Sequence, residues 1–451
     1  MIVMKRNISF ERVLLINPPH KPKFIRETRC QHRVSKIHAI FHPITLLYTA
    51  TVLEQKGISV KIFDFNVESK KEFDPVIKKQ KPQLIISTTS TPTIDEDLVF
   101  LKELKERTNA KIALTSVHST YFYKEILEKN PFVDYILLYE PENPALELCL
   151  GKKIEKIKGI AYRDNHKIKA SNQRNPLDLT KIKIPSWHLI KLKRYKVPII
   201  NETYAIIQTG RGCPFNCDFC VVPFYFGNKV RKRKVEDVIA EIKSLKKKGI
   251  RFFYFFDETF NDDNDFLTKL LKEIKPLNIS YVCNSRLDLI TEEQAKLFSE
   301  SGVFFVGVGI ESFSDSALTK MNKGEKSKVI KEKINLLNKY KVPIFGHFLV
   351  GYGSNSIKDA KRAIELGLTF ANFYTVSPFP GSKLFERYKA KKISFKKINF
   401  EDFGDKNVKR DKRIATLIFY SNPRVLARII KLFWGCFFFN KLKKKRGKVN
   451  S

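Results

Sequence analysis

Acidic side chains are scarce in this chain. Only 47 Asp and Glu stand against 84 Lys and Arg, a formal net charge of +37. That surplus has several readings: a solvated lysine surface in a Lys-, Ile-, Phe- and Asn-rich composition, or attraction to nucleic acid, to anionic lipid or to an acidic electron-transfer partner. Charge alone does not choose among them. Cysteine is scarce too, with seven in 451 residues. An odd, mostly scattered set argues against a disulfide framework and turns attention to metal binding or chemistry. The start, "MIVMKRNISFERVLLINPP", lacks the basic-then-apolar pattern of a secretory signal, so a cytoplasmic location is expected. The apolar stretch around Phe433 to Phe439 is too short to span a bilayer.

What is present is a globular chain, 43% apolar and 12% aromatic, long enough for two or three domains. Residues 1–151 alternate short apolar runs with helical patterns. Strands are expected at 12–19, 58–66, 83–91, 110–119 and 133–140, and helices at 44–57, 74–82, 95–109, 123–131 and 143–151. This predicts a Rossmann-like parallel sheet with helices on both faces. Ligands of such sheets lie at the carboxyl ends of the strands, here Asn17 to Pro19, Asp64, Ser87 to Thr91, Thr115 to His118, and Glu140. Residues 152–195 read as a linker with a hairpin turning at Asp164-Asn165, docking on the next domain. A second alternation fills 196–395, with strands at 203–210, 251–257, 280–286, 303–311, 343–351 and 372–378. Six βα units predict a partial (β/α)6 barrel with its chemistry at the carboxyl rim. Residues 396–451 form a helical basic tail.

The sharpest signal is "RGCPFNCDFC", which places Cys213, Cys217 and Cys220 just after the first strand of the second series. Iron–sulfur cubanes and structural zinc sites ordinarily use four protein ligands. Here the local count stops at three, with no further Cys or His within 20 residues on either side. Three thiolates would leave one iron open to a small molecule.

C-x3-C-x2-C in this position, with Phe219 before the last cysteine, resembles the radical S-adenosylmethionine (SAM) superfamily. The resemblance implies a [4Fe-4S] cluster on Cys213, Cys217 and Cys220, with SAM on the open iron and cleaved to a 5′-deoxyadenosyl radical. It extends to "FFDETFNDD", which places Asp257 and Glu258 at the methionine amino group. It includes "VGVGIESFSDSALTKMNKG", with Glu311 and Ser312 at the ribose, and "GHFLVGYG", with Gly351 near the adenine. "SPFPGSKLFE" matches the sixth-strand element, with Ser382 for the usual Thr. Phe219 becomes an adenine or cluster neighbour, and Arg286 a partner for the SAM carboxylate. Structural alternatives stand beside these roles. Asp257 and Glu258 could cap the next helix. Glu311 could pair with Arg286, and Arg286 could staple the rim. Cys283 and His347 read as core residues.

Together with the first domain, "LLINPP", "KPQLIISTTST" and "VDYILLYEPENPALEL" resemble the cobalamin-binding class of radical SAM proteins. Ser87, Thr115, Ser116 and His118 are the implied cobalamin neighbours. The departures are plain: there is no D-x-H-x-x-G, "LTSVHST" stands where the class has Gly-Gly-x-His, and "YEPEN" stands for GE-x-E. The resemblance implies an enzyme that modifies an unactivated carbon, most commonly by methylation, on a small-molecule or lipid substrate, with a small acidic electron carrier as reductant. An RNA-modifying methylthiotransferase would carry more cysteines in the first domain than Cys30 and Cys149, so nucleic acid is not the expected partner. A structural iron–sulfur or zinc interaction protein is the non-enzymatic alternative. Arg424, Arg428 and Lys431 give the tail helix a basic face, followed by "KLKKKRGK". That helix either lies peripherally on an anionic membrane or packs on the barrel.

Overall fold

A computed structural model describes residues 8–27, 30–34, 39–197, 200–389 and 406–434. The expected start of the tail near 396 and the basic run from Lys441 lie outside them. The chain divides into two compact units, Met1–Tyr254 with Pro378–Ile398, and Phe255–Ser377 with Asn399–Ser451.

The first unit contains β1 (Arg12–Asn17), β2 (Phe24–Glu27), β3 (Cys30–Arg33), β4 (Ser59–Asp64), β5 (Leu84–Thr88), β6 (Lys111–Thr115), β7 (Tyr135–Leu137), β8 (Ile160–Asp164) and β9 (Lys167–Ser171). Seven of these form one sheet in the order β4-β1-β5-β6-β7-β8-β9. The β1–β4, β1–β5, β5–β6 and β6–β7 pairs are parallel, as the βα alternation predicts. Its core is the apolar set of those runs: Leu14 and Ile16 of β1, Ile85 of β5, and Ile112 and Leu114 of β6, packed with Phe63, Phe73, Leu101 and Leu104.

Three local readings change. The helix expected over 74–82 spans Lys70–Gln80. Its start is set by Ser69, whose backbone N–H donates to Glu72 Oε2 at 2.9 Å, rather than by Asp74-Pro75. The hairpin turns where expected, but β8 pairs antiparallel with β7, so it extends the first sheet. The antiparallel β2–β3 hairpin was not anticipated. Its Arg26 is buried and donates to Asp97 and Asn17, and such polar burial leaves no hydrophobic alternation to read.

The linker docks in two directions within this unit. Ser186 N–H donates to Thr51 Oγ1 at 2.9 Å and Tyr195 Oη to Asp64 Oδ2 at 2.7 Å, both on the first domain. Trp187 Nε1 donates to Glu241 at 2.7 Å, farther along the chain. The same unit holds β10 (Lys196–Val197), β11 (Glu202–Ile207), β12 (Gly210–Arg211) and β13 (Arg231–Lys232); β14 (Phe252–Phe255) spans the join.

In the second unit β15 (Ser280–Ser285), β16 (Val303–Glu311), β17 (Ile344–Val350) and β18 (Phe370–Thr375) pair in parallel in chain order. Helices Glu292–Ser301, Ser327–Lys339 and Ser356–Glu365 alternate with them. Lys406–Tyr420 and 423–434 are helical as expected for the tail.

Candidate functional site

β12 and β13 are a two-rung antiparallel ladder, Gly210 opposite Lys232 and Arg211 opposite Arg231. The chain between them therefore leaves and returns at one place. Cys213, Cys217 and Cys220 lie on this closed loop, each half-buried. Its sharp departure depends on Gly212, with φ of +100° and a position where a Cβ would stand 2.5 Å from the Lys229 carbonyl oxygen. Within the loop, Cys220 N–H donates to the Cys217 carbonyl at 3.1 Å. Helix Val222–Tyr225 follows directly. Val221, Val222, Tyr225, Phe226 and Val117 form a buried apolar cluster against which Cys213 and Cys220 pack. Phe219 is half-buried. From the "SPFPGSKLFE" segment, Leu384 N–H donates to the Asp218 carbonyl at 2.8 Å and Arg387 pairs with the Asp218 carboxylate. Ser382 caps the helix that follows, accepting from Phe385 N–H at 3.1 Å, a role either Ser or Thr performs.

The ladder is clamped from the first domain. Arg211 donates to Glu140 Oε2 at 2.8 Å and pairs with Glu142 Oε1 at 2.8 Å, and all three side chains are buried. Arg231 also holds Glu140. Burial opposes the charge on Arg211, but Glu142 and Glu140 outweigh it and hold the guanidinium firmly protonated. These are the acids of "YEPEN". Tyr139, where the resembled pattern has glycine, sits at φ of +61°, the left-handed region costly for a bulky residue. Its N–H donates to Thr120 Oγ1 at 2.9 Å and its ring lies under Arg174 at 4.4 Å. The substitution keeps the glycine conformation and both clamp acids.

Among the described residues no three His, Cys, Asp or Glu side chains converge as a single-ion site requires. The three thiols are instead spread along one loop with an apolar collar. That arrangement suits a cluster, in which each thiolate takes its own iron.

The carboxyl rim of the first sheet is lined by small hydroxyls. Thr89 and Ser116 share a hydrogen bond at 2.9 Å, and Ser116 Oγ accepts from Ser119 N–H at 3.0 Å. Ser87 donates to the Thr88 carbonyl at 3.0 Å, and Thr115 is buried. Ser116 has φ of 170°, extended backbone open to any residue, so the missing glycine pair imposes no conformational demand at this position. His118 Nδ1 lies 3.0 Å from Thr91 Oγ1. Burial pushes its imidazole down to about 3, keeping it neutral. Neutral hydroxyl and imidazole partners fit the amide-fringed edge of a corrin. Val117, between Ser116 and His118, is the residue that packs with the Cys213 and Cys220 collar, so rim and cysteine loop are neighbours within one unit.

The second unit places the expected SAM residues on its own elements. Asp257 and Glu258 are buried. They do not cap the helix Asn264–Ile274; Asp263 does, accepting from Phe266 N–H at 3.0 Å. Arg286 donates to Asp288 at 2.9 and 3.0 Å and to the Lys323 carbonyl at 3.0 Å. Glu311 has φ of +63°. Its ion-pair neighbour is Lys323 at 3.8 Å, while Arg286 pairs with Asp288 and Glu325. Burial pushes the Glu311 carboxyl up, against Lys323 and Arg286. Ser312 is committed to Asp359 Oδ2 at 3.0 Å. Gly351, at φ of +106°, turns the chain after β17. Cys283 is fully buried, and the His347 ring lies tilted against Phe345 at 4.7 Å and Tyr374 at 5.8 Å. Sequence reasoning missed Lys323 and Glu325, both buried; a charged pair inside "MNKGE" was the available signal.

The family model of the radical SAM superfamily matches residues 207–367, and that of the B12 binding domain matches residues 32–148. Uncharacterized methyltransferase PH0819 of Pyrococcus horikoshii is 27% identical, the alignment covering 86% of this chain and 90% of that protein. Cytidylyl-2-hydroxyethylphosphonate methyltransferase of Streptomyces wedmorensis is 25% identical over 83% of this chain and 81% of its own. Among solved structures, the radical SAM methyltransferase TsrM from Kitasatospora setae, with cobalamin and a [4Fe-4S] cluster bound, superposes with a TM-score of 0.68 at 18% identity, covering 84% of this chain and 75% of that one. The fold is thus a Rossmann-like sheet domain, a half-barrel core and C-terminal helices, and the chain is a radical SAM enzyme. It thus combines a B12 binding domain with a radical SAM domain, the pairing of cobalamin-dependent radical SAM proteins.

Proposed function

We propose that this enzyme transfers a methyl group to an unactivated carbon of a small-molecule or lipid substrate. The observation that carries the reading is the shared apolar cluster in which Val117 of the sheet rim meets the collar of Cys213 and Cys220. It brings together the two segments proposed to hold the cofactors. When bound, the cluster supplies the electron that cleaves a sulfonium C–S bond, and cobalamin carries the methyl group.

The chain's own residues have separable tasks. Cys213, Cys217 and Cys220 would hold the cluster, and Val221, Val222 and Phe226 keep water from it. Arg211, Glu140 and Glu142 fix the loop's ends. Ser87, Thr115, Ser116 and the neutral His118 would face the corrin. In the second unit Asp257, Glu258 and Glu311 are the proposed SAM contacts, with Arg286 and Lys323 setting the charge around Glu311. A relative named as a putative methylthiotransferase exists in Methanocaldococcus jannaschii, 28% identical. Against that reading here, the first domain holds only Cys30 and Cys149. Cys149 is buried and its thiol pushed up to about 12 by that burial.

The test is anaerobic reconstitution with iron, sulfide and cobalamin, followed by dithionite and SAM. Wild type should form 5′-deoxyadenosine and retain corrin absorbance through desalting, and Cys217→Ala should form none. Failure of wild type to cleave SAM ends the radical reading. Loss of corrin on desalting ends the methyl-transfer reading and leaves the radical core standing.

A further inference from the structure

The helix over 423–434 has two unlike faces. One is seated: Val425 is fully buried, and the Phe433 ring meets Phe304 edge-on at 5.7 Å. Arg428 belongs to that face, donating to the carbonyls of Ile364 and Leu368 at 3.1 to 3.2 Å, so the continuous basic face read from sequence loses its middle member. At about 100° per residue, Leu426, Ile430 and Trp434 fall on one stripe turned away from the seat. They are 45%, 61% and 68% exposed. Arg424 and Lys431 run along the outer edge of that stripe, both exposed. Beyond Trp434 the sequence continues through Phe437, Phe438 and Phe439 to Lys441, Lys443, Lys444, Lys445, Arg446 and Lys448.

Three large apolar side chains in water, edged by Arg424 and Lys431, constrain the occupant. A second copy would set Arg424 and Lys431 against the same cations on chains of +37 each. Nucleic acid would satisfy the lysines and leave the apolar stripe wet. An anionic lipid surface takes both: apolar side chains enter the boundary between headgroups and acyl chains, and ammonium groups meet the phosphates. We propose that this face docks the enzyme on anionic lipid. No helix among the described residues is long and apolar enough to cross a membrane.

The chain carries its own reporter. It has two tryptophans, and Trp187 is buried with its N–H on Glu241. A change in emission on adding vesicles therefore reports Trp434. Full-length protein should show a blue shift with phosphatidylglycerol vesicles, weakened by high salt, with affinity about tenfold or more above that for phosphatidylcholine. Leu426→Ser with Ile430→Ser, at exposed positions, should reduce binding about tenfold with unchanged melting. Arg424→Glu with Lys431→Glu, both exposed, should remove the preference for anionic lipid. No shift with either vesicle overturns the proposal, as does equal binding by wild type and the Ser variant. Sedimentation showing a dimer abolished by the Ser variant, or RNA binding without vesicle binding, assigns the face elsewhere and also overturns it.

Discussion

Arg211 and Glu140 form a buried hydrogen-bonded ion pair at 2.8 Å although 71 residues separate them in the chain. One stands two residues before the first cluster cysteine, the other at the carboxyl rim of the first sheet. Breaking one side of such a pair leaves an uncompensated buried charge, a cost of about 3–5 kcal/mol. Arg211→Met should lose stability on that scale in urea unfolding and retain less iron after reconstitution. Adding Glu140→Gln and Glu142→Gln should recover part of the stability. If the single variant unfolds like wild type, the clamp does not hold the loop.

Gly212→Ala tests the loop's departure. The left-handed backbone and the close Lys229 carbonyl together should cost about 1–3 kcal/mol. They should also displace the adjacent Cys213. Iron per chain and the visible absorption of the reconstituted cluster should both fall, while an alanine at Gly57, where a Cβ meets nothing within 4 Å, should affect stability without touching iron content.

Acid should weaken the fold through His42. Its ring is fully buried, stacked on Tyr195 at 4.1 Å and edge-on to Trp187 and Tyr204. Burial pushes it down to about 3. A lowered folded value means that the unfolded chain binds the proton first, so stability is complete above about 6.5 and falls as pH drops toward 3. The slope is about 1.4 kcal/mol per pH unit. His42→Phe should flatten it, read by urea melts at pH 7 and pH 5.

Glu27 carries the opposite sign. Burial pushes its carboxyl up to about 7, against a hydrogen bond from Thr45 at 2.7 Å. A raised folded value means that stability is complete below about 4.5 and is lost as pH rises through 7. Glu27→Gln should therefore remove a loss of stability between pH 5 and pH 8. Melts across that range check it, and an unchanged profile would show that the carboxylate is stabilised where it sits.

The parts of this enzyme legible in the sequence are those written in local periodicity. Apolar runs such as "LIIST" marked strands because a parallel sheet buries both faces, and the three cysteines announced themselves by spacing. What escaped depended on partners far along the chain. Tyr139 was the visible departure from GE-x-E, while the clamp role of Glu140 and Glu142 stayed hidden because Arg211 is not their neighbour in sequence. That the backbone at Ser116 is extended, and so needs no glycine for its conformation, could not be read from "LTSVHST". The helix expected from residue 74 starts at Lys70, because the Ser69–Glu72 capping box lies one turn earlier. Arg428 counted as a surface charge until its carbonyl partners across the turn from Ile364 to Leu368 were seen.

The two-rung ladder of β12 and β13 has one more consequence. Because a single knot closes the loop, the three thiols share one drawstring. Loosening either rung moves all of them at once, so iron should leave in one cooperative event, with no partly liganded species along the way.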